Sequence, residues 1–160
     1  AQASARTDDG RMIAIKNNIR EARLEDVDRA LPLVEKFFNQ VNCGIVEFDP
    51  EDARKLMASI VLNGHLCLVL EDGNELVGLL CGYVMFSPFN HRQIVFQELI
   101  WYIEQGRRGA GIVMFKYCEE ILKDRGVNVM VMADALDTAT EFYRRKGMKQ
   151  IESHWIKGVN

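Results

Sequence analysis

Between an apolar run that ends at Ile103 and an amphipathic run that begins near Ile112 lie Gly106, Arg107, Arg108, Gly109, Ala110 and Gly111. A strand end that feeds glycines into a helix start aims unpaired backbone N–H groups outward, where the helix dipole also favours negative charge. The order therefore predicts an anion site that a phosphate would fit. Arg107 and Arg108 are candidates for added charge-assisted hydrogen bonds, with ordinary solvent-facing arginines as the other reading. Upstream, Glu98 alternates with Phe96, Ile100 and Tyr102. A carboxylate on an apolar strand face has a raised pKa, the direction needed to take a proton from an ammonium group. A salt-bridged edge residue is the equal alternative.

Two familiar glycine fingerprints fail on these residues. A P-loop requires Lys-Ser or Lys-Thr after its second glycine, and none follows here. A dinucleotide turn requires Gly-x-Gly-x-x-Gly at the first strand of its unit, whereas Gly106-x-x-Gly109-x-Gly111 comes late in the chain. With the strand before it and the segment Ala139 to Met148 after it, the observed spacing resembles the GNAT N-acetyltransferase superfamily, and it is also similar to GNAT proteins of phage and prophage origin. The family's pyrophosphate turn is usually Gln/Arg-x-x-Gly-x-Gly/Ala, so Gly106 departs from it. Leu136 stands where an Asn often precedes the alanine matched by Ala139.

The resemblance implies acetyl-CoA as co-substrate, with its pyrophosphate on the turn of Arg107, Arg108, Gly109, Ala110 and Gly111. It implies that backbone groups of Trp101, Tyr102 and Ile103 align the pantetheine arm, one N–H polarising the thioester oxygen. Tyr143, with Gly147 four residues on, matches the tyrosine whose hydroxyl protonates the departing thiolate; its alternative is a core tyrosine. The implied activity is acetyl transfer to a primary amine of a small molecule or protein, by direct attack in a ternary complex. Glu98 is the candidate general base, and a water relay would make a dedicated base unnecessary. A non-catalytic acyl-CoA-binding sensor or interaction module is the rival.

Positioning these groups takes one α/β domain, read as residues 13–160. Residues 1–12 are set aside as a polar, mobile leader or an expression scar. The order predicted is β-α-α-β-β-β-α-β-α-β, the usual GNAT arrangement. Ile13 to Arg20 is the first strand, and a helix through Val27, Ala30, Val34 and Phe37 is kinked or split at Pro32. Asp49 caps a second helix that opens with Pro50 and stops at Asn63 and Gly64. His65 to Leu70 and Glu75 to Met85 form a hairpin. After a loop from Ser87 to Arg92 comes the long strand Ile94 to Ile103. Beyond the glycine turn follow a helix stopped by Gly126, a strand Val127 to Met132, a short helix Thr138 to Lys146 and a closing strand Ile151 to Ile156. Phe48, Phe89 and His91 are candidate groove-lining residues.

Composition narrows the partners. With 48% hydrophobic and 27% charged residues, the 160-residue chain suits a folded domain, not a disordered one. A net charge of -3 gives no footprint for nucleic acid; Arg144, Arg145, Lys146 and Lys149 read as a solvated helix end. No apolar run is long enough to cross a bilayer. Cys43, Cys67, Cys81 and Cys118 form no C-x-x-C pair and read as core residues in a reducing, cytoplasmic compartment. His65, His91 and His154 lack metal-ligand spacing, so no metal is expected. A homodimer is left open.

Overall fold

The computed structural model describes residues 2–42, 44–152, 154–157 and 159; Cys43 and Ser153 therefore lie outside the described residues. The elements are α1 (Gln2–Asn17), β1 (Ile19–Glu21), a 3-10 turn (Leu24–Asp26), α2 (Val27–Val41), α3 (Pro50–Leu62), β2 (Leu66–Asp72), β3 (Glu75–Ser87), β4 (Asn90–Ile103), α4 (Ala110–Asp124), β5 (Val129–Val131) and α5 (Thr140–Arg145). The five strands lie in the order β1-β2-β3-β4-β5, antiparallel except for the parallel pair β4 and β5. Among the described residues no helix is long and apolar enough to cross a membrane.

Alternation on β2 sends Cys67 and Val69 to one side and Leu66, Leu68 and Leu70 to the other. The first side packs under α2 and α3 through Leu33, Val34, Met57 and Ile60. The second packs under α4 through Val113, Met114, Cys118 and Leu122, with Met12 and Ile15 of α1 against it. Helix α3 starts as its sequence requires: the Asp49 side chain accepts from the Asp52 amide at 2.9 Å, with Pro50 in the first turn. Helix α2 continues through Pro32, so the expected break into two pieces does not occur.

Two terminal expectations are corrected. Residues 13–17 continue α1 instead of starting a strand. Met12 and Ile15, three apart, face the second core, while Ile13 is exposed, and only Ile19 to Glu21 pair with β2. The closing strand from Ile151 to Ile156 does not form among the described residues, where Ile151 and Trp155 are exposed. The neighbouring β5 is three residues long, and so short an edge cannot repay the ordering of another strand.

Candidate active site

The strand that carries Glu98 changes face beside it. On β3 and β4, Cys81 pairs with Ile100 but Gly82 pairs with Glu98, leaving Leu99 as an extra residue. This β-bulge puts Leu99 and Ile100 on the same side, against the core under α2 and α3. Phe96 packs under α4, whereas Ile100 and Tyr102 pack on the opposite face, so the shared face inferred from alternation does not exist. Gly82 makes the bulge possible, because a Cβ there would stand 2.2 Å from the Gln97 carbonyl oxygen and 2.8 Å from Glu98 Cα. No sequence motif singled out that glycine.

The parallel pairing of β4 and β5 ends with Gln97 against Val131, and the strands then part. Glu98 sits in this fork, 5% exposed, its Oε2 accepting a hydrogen bond from the Ala133 amide at 2.8 Å. Burial pushes its carboxyl up to about 7, and the Ala133 N–H opposes that shift. Tyr143 approaches from α5 and donates its hydroxyl to the Ala133 carbonyl at 2.9 Å. One alanine of the chain after β5 thus holds both candidates. Burial raises the Tyr143 hydroxyl above its usual range, helped by the charges of Glu98 and Asp134. Its proton therefore stays on oxygen, engaged by the Ala133 carbonyl.

A cleft of about 140 Å³ opens here, lined by Phe37 and Gln40 of α2 together with Glu98, Trp101, Asp134, Leu136 and Tyr143 among others. Phe37, Gln40 and Asp134 were missed as site residues. The available signal for Asp134 was its place ahead of α5, where it accepts from the Ala139 amide at 3.0 Å and from the Thr140 hydroxyl. The suggested groove residues are elsewhere. Phe89 is 97% exposed at the tight β3–β4 turn, away from the cleft lining, and Phe48 packs against the core under α2 and α3.

At the far end of β4, Ile103, Glu104, Gly106, Arg107, Arg108 and Gly111 line an open recess of about 410 Å³. Gly109 caps α4 with a φ of 82°, a left-handed conformation that glycine takes without strain. The Ala110 amide bonds to the Arg107 carbonyl at 3.1 Å, and the first intrahelical donor is Val113, which reaches Gly109 at 3.1 Å. The Gly111 and Ile112 amides between them precede any helical carbonyl they could reach. The two arginines differ: Arg107 is ion-paired with Asp72, whereas Arg108 is exposed and makes no ion pair among the described residues. From Glu98 to Ile103 the β4 edge that faced β5 is unpaired among the described residues.

Residues 30–148 match the sequence model of the Acetyltransferase (GNAT) family. The chain belongs to that family. The fold is similar to that of solved structures of low sequence identity. A predicted acetyltransferase from Clostridium acetobutylicum, solved with acetyl-CoA, has a TM-score of 0.71 at 16% identity, over 89% of this chain and 96% of that one. An aminoglycoside acetyltransferase from an uncultured soil metagenomic sample, solved with trehalose, has a TM-score of 0.68 at 20% identity, over 89% and 95%. A ribosomal-protein-alanine N-acetyltransferase from Brucella melitensis has a TM-score of 0.65 at 17% identity, over 88% and 99%. No curated protein sequence matches this GNAT chain.

Proposed function

We propose that this protein is an acetyl-CoA-dependent N-acetyltransferase that acetylates a primary amine by direct attack in a ternary complex. The observation that carries the reading is the fork: a buried carboxylate and a buried phenol fastened to the same Ala133, on a sheet whose strand β4 leads to the N-terminus of α4, where the Gly111 and Ile112 amides have no backbone partner among the described residues. Acetyl-CoA supplies an acetyl group already activated on sulfur. The residues fit such a group, because Gly111 at the start of α4 and Arg108, which makes no ion pair among the described residues, line one recess. Arg107 contributes less, being held by Asp72.

In the fork, Glu98 takes the first proton from the ammonium group, which frees the nitrogen lone pair. A backbone N–H of the open β4 edge, among Trp101, Tyr102 and Ile103, polarises the thioester oxygen. As the C–N bond forms and the C–S bond breaks, Tyr143 gives its proton to sulfur, and the second amine proton restores the hydroxyl. A CoA-binding module without transfer is favoured by two departures, Gly106 in the turn and Leu136, which is half exposed at the cleft.

Titration calorimetry with CoA, paired with thiol release across a panel of amines, tests the reading. Binding with release supports transfer, binding without release on every amine supports the module, and no binding at millimolar CoA refutes both. Arg108→Ala should weaken CoA several-fold more than Arg107→Ala, and equal losses would refute the assignment of Arg108.

A further inference from the structure

The fork cleft holds more negative charge than proton removal needs. Glu98 presents one oxygen to it: Oε2 is held by the Ala133 amide at 2.8 Å, while Oε1 has no hydrogen-bond partner among the described residues and is not sealed off from the cavity. Asp134, directly after Ala133, lines the same cleft. Its Oδ1 accepts from the Ala139 amide at 3.0 Å and its Oδ2 from the Thr140 hydroxyl. Those donors are neutral. They hold the carboxylate in place, leave lone pairs for a further donor and cancel none of its charge. Among the described residues no Lys, Arg or His lines the cleft, so neither carboxylate meets a cation there.

Two fixed negative charges in one recess, with no positive charge beside them, attract cations into it. A single ammonium group can satisfy Glu98 Oε1 but leaves Asp134 uncompensated. A second cation on the same molecule compensates both. The wall between is apolar, with Phe37, Val41 and Leu136 lining the cleft, so methylenes suit the span between the two cations. A carboxylate at the far end of the acceptor would instead meet like charge, and the cleft selects against it.

We propose that the acceptor is a dicationic aliphatic amine, whose reacting ammonium group meets Glu98 and whose second cation, a few bonds away, meets Asp134. This rests on the transferase reading above and adds Asp134 as the residue that selects the acceptor. The C–N bond forms at the first nitrogen as the C–S bond breaks, and the second nitrogen keeps its proton. The products are the CoA thiol and a monoacetylated amine with one positive charge left.

Three probes share one carbon chain: 1,4-diaminobutane, butylamine and 4-aminobutanoate. Their binding, with and without CoA, is read from the Ala133 and Ala139 amide signals of a ¹⁵N-labelled sample at fixed ionic strength and pH 8, above the value near which Glu98 titrates. The diamine should bind about tenfold more tightly than butylamine, the scale of one charge-assisted hydrogen bond, and 4-aminobutanoate more weakly than either. Asp134→Asn keeps an oxygen for the Ala139 amide and removes the charge. In it the diamine should fall to the affinity of butylamine, with butylamine itself unchanged. That unchanged value also reports that the variant is folded, and the wild-type ranking stands without it. Asp137→Asn, in the same loop but outside the cleft lining, should keep the preference and so exclude general attraction to an acidic surface. The proposal is overturned if butylamine or 4-aminobutanoate binds as tightly as the diamine. It is also overturned if the preference survives Asp134→Asn, if Asp137→Asn loses it equally, or if no probe moves either amide signal. CoA binding with thiol release on any other amine would then leave the transferase reading standing. If wild type binds no CoA, the two fall together.

Discussion

Replacing Glu98 by glutamine separates the cost of burying the carboxylate from its use. The carboxyl is pushed from 4.5 to about 7 by burial, so the folded state holds its proton through a range in which the unfolded chain has lost it. Native protein then binds more protons than unfolded protein between those values, and stability must fall as pH rises through that window. A rise of that size corresponds to about 3 kcal/mol. Glutamine keeps an oxygen for the Ala133 amide and carries no charge at any pH. Below about pH 4.5 wild type and Glu98→Gln should melt together. Above pH 8 the variant should melt higher by roughly 10 °C, from about 3 kcal/mol and the usual entropy of a domain this size. Thermal melts at half-unit pH steps from 4 to 9 measure the difference. A constant offset between the two proteins would refute the claim that this carboxylate is desolvated. The same pair tests the chemistry: wild-type kcat/KM should bend near pH 7, and the variant should lose the bend together with about 10²- to 10⁴-fold in rate. A variant with wild-type turnover and the melting difference intact would leave Glu98 as a buried acid and assign proton removal to water.

Tyr143→Phe keeps the ring among Trp101, Phe115 and Phe142, so CoA affinity should hold, stability should drop by about 1 kcal/mol for the lost bond to Ala133, and turnover should fall about 10²-fold. Wild-type turnover by steady-state kinetics would make it a core aromatic only. Gly82→Ala drives a methyl group into the Gln97 carbonyl; it should lower stability by about 3 kcal/mol or more in denaturant melts and shift the pH bend assigned to Glu98. An unchanged melt would show that the bulge does not depend on that glycine.

Much of the molecule was legible because it is written in short-range chemistry. Asp49, Pro50 and the Asn63-Gly64 stop specify α3 within its own residues. The strand, glycine turn and helix around Gly109 and Gly111 follow from backbone geometry within a few positions. The α/β class could be read from the order of apolar runs, whereas Tyr143 stood out only through the resemblance to the family and Glu98 through an alternation that the bulge breaks.

What remained depends on residues distant in the chain. Ile13, Ile15 and Ile19 fit alternation and helical spacing alike, and contact with α4 decided for a helix up to Asn17. The strand expected at Ile151 to Ile156 needed a longer neighbour than β5 provides. Arg107 and Arg108 are equivalent in sequence until Asp72, on another strand, takes the first. The parity that seemed to put Glu98 on one apolar face is broken at Leu99, because Gly82 on the adjacent strand lets the backbones approach more closely than any Cβ allows. Sequence determined which groups were available and which local turns would present them. Tertiary structure alone decided their partners and their burial, because desolvation and a hydrogen bond to Ala133 are properties of neighbours brought together by the whole sheet.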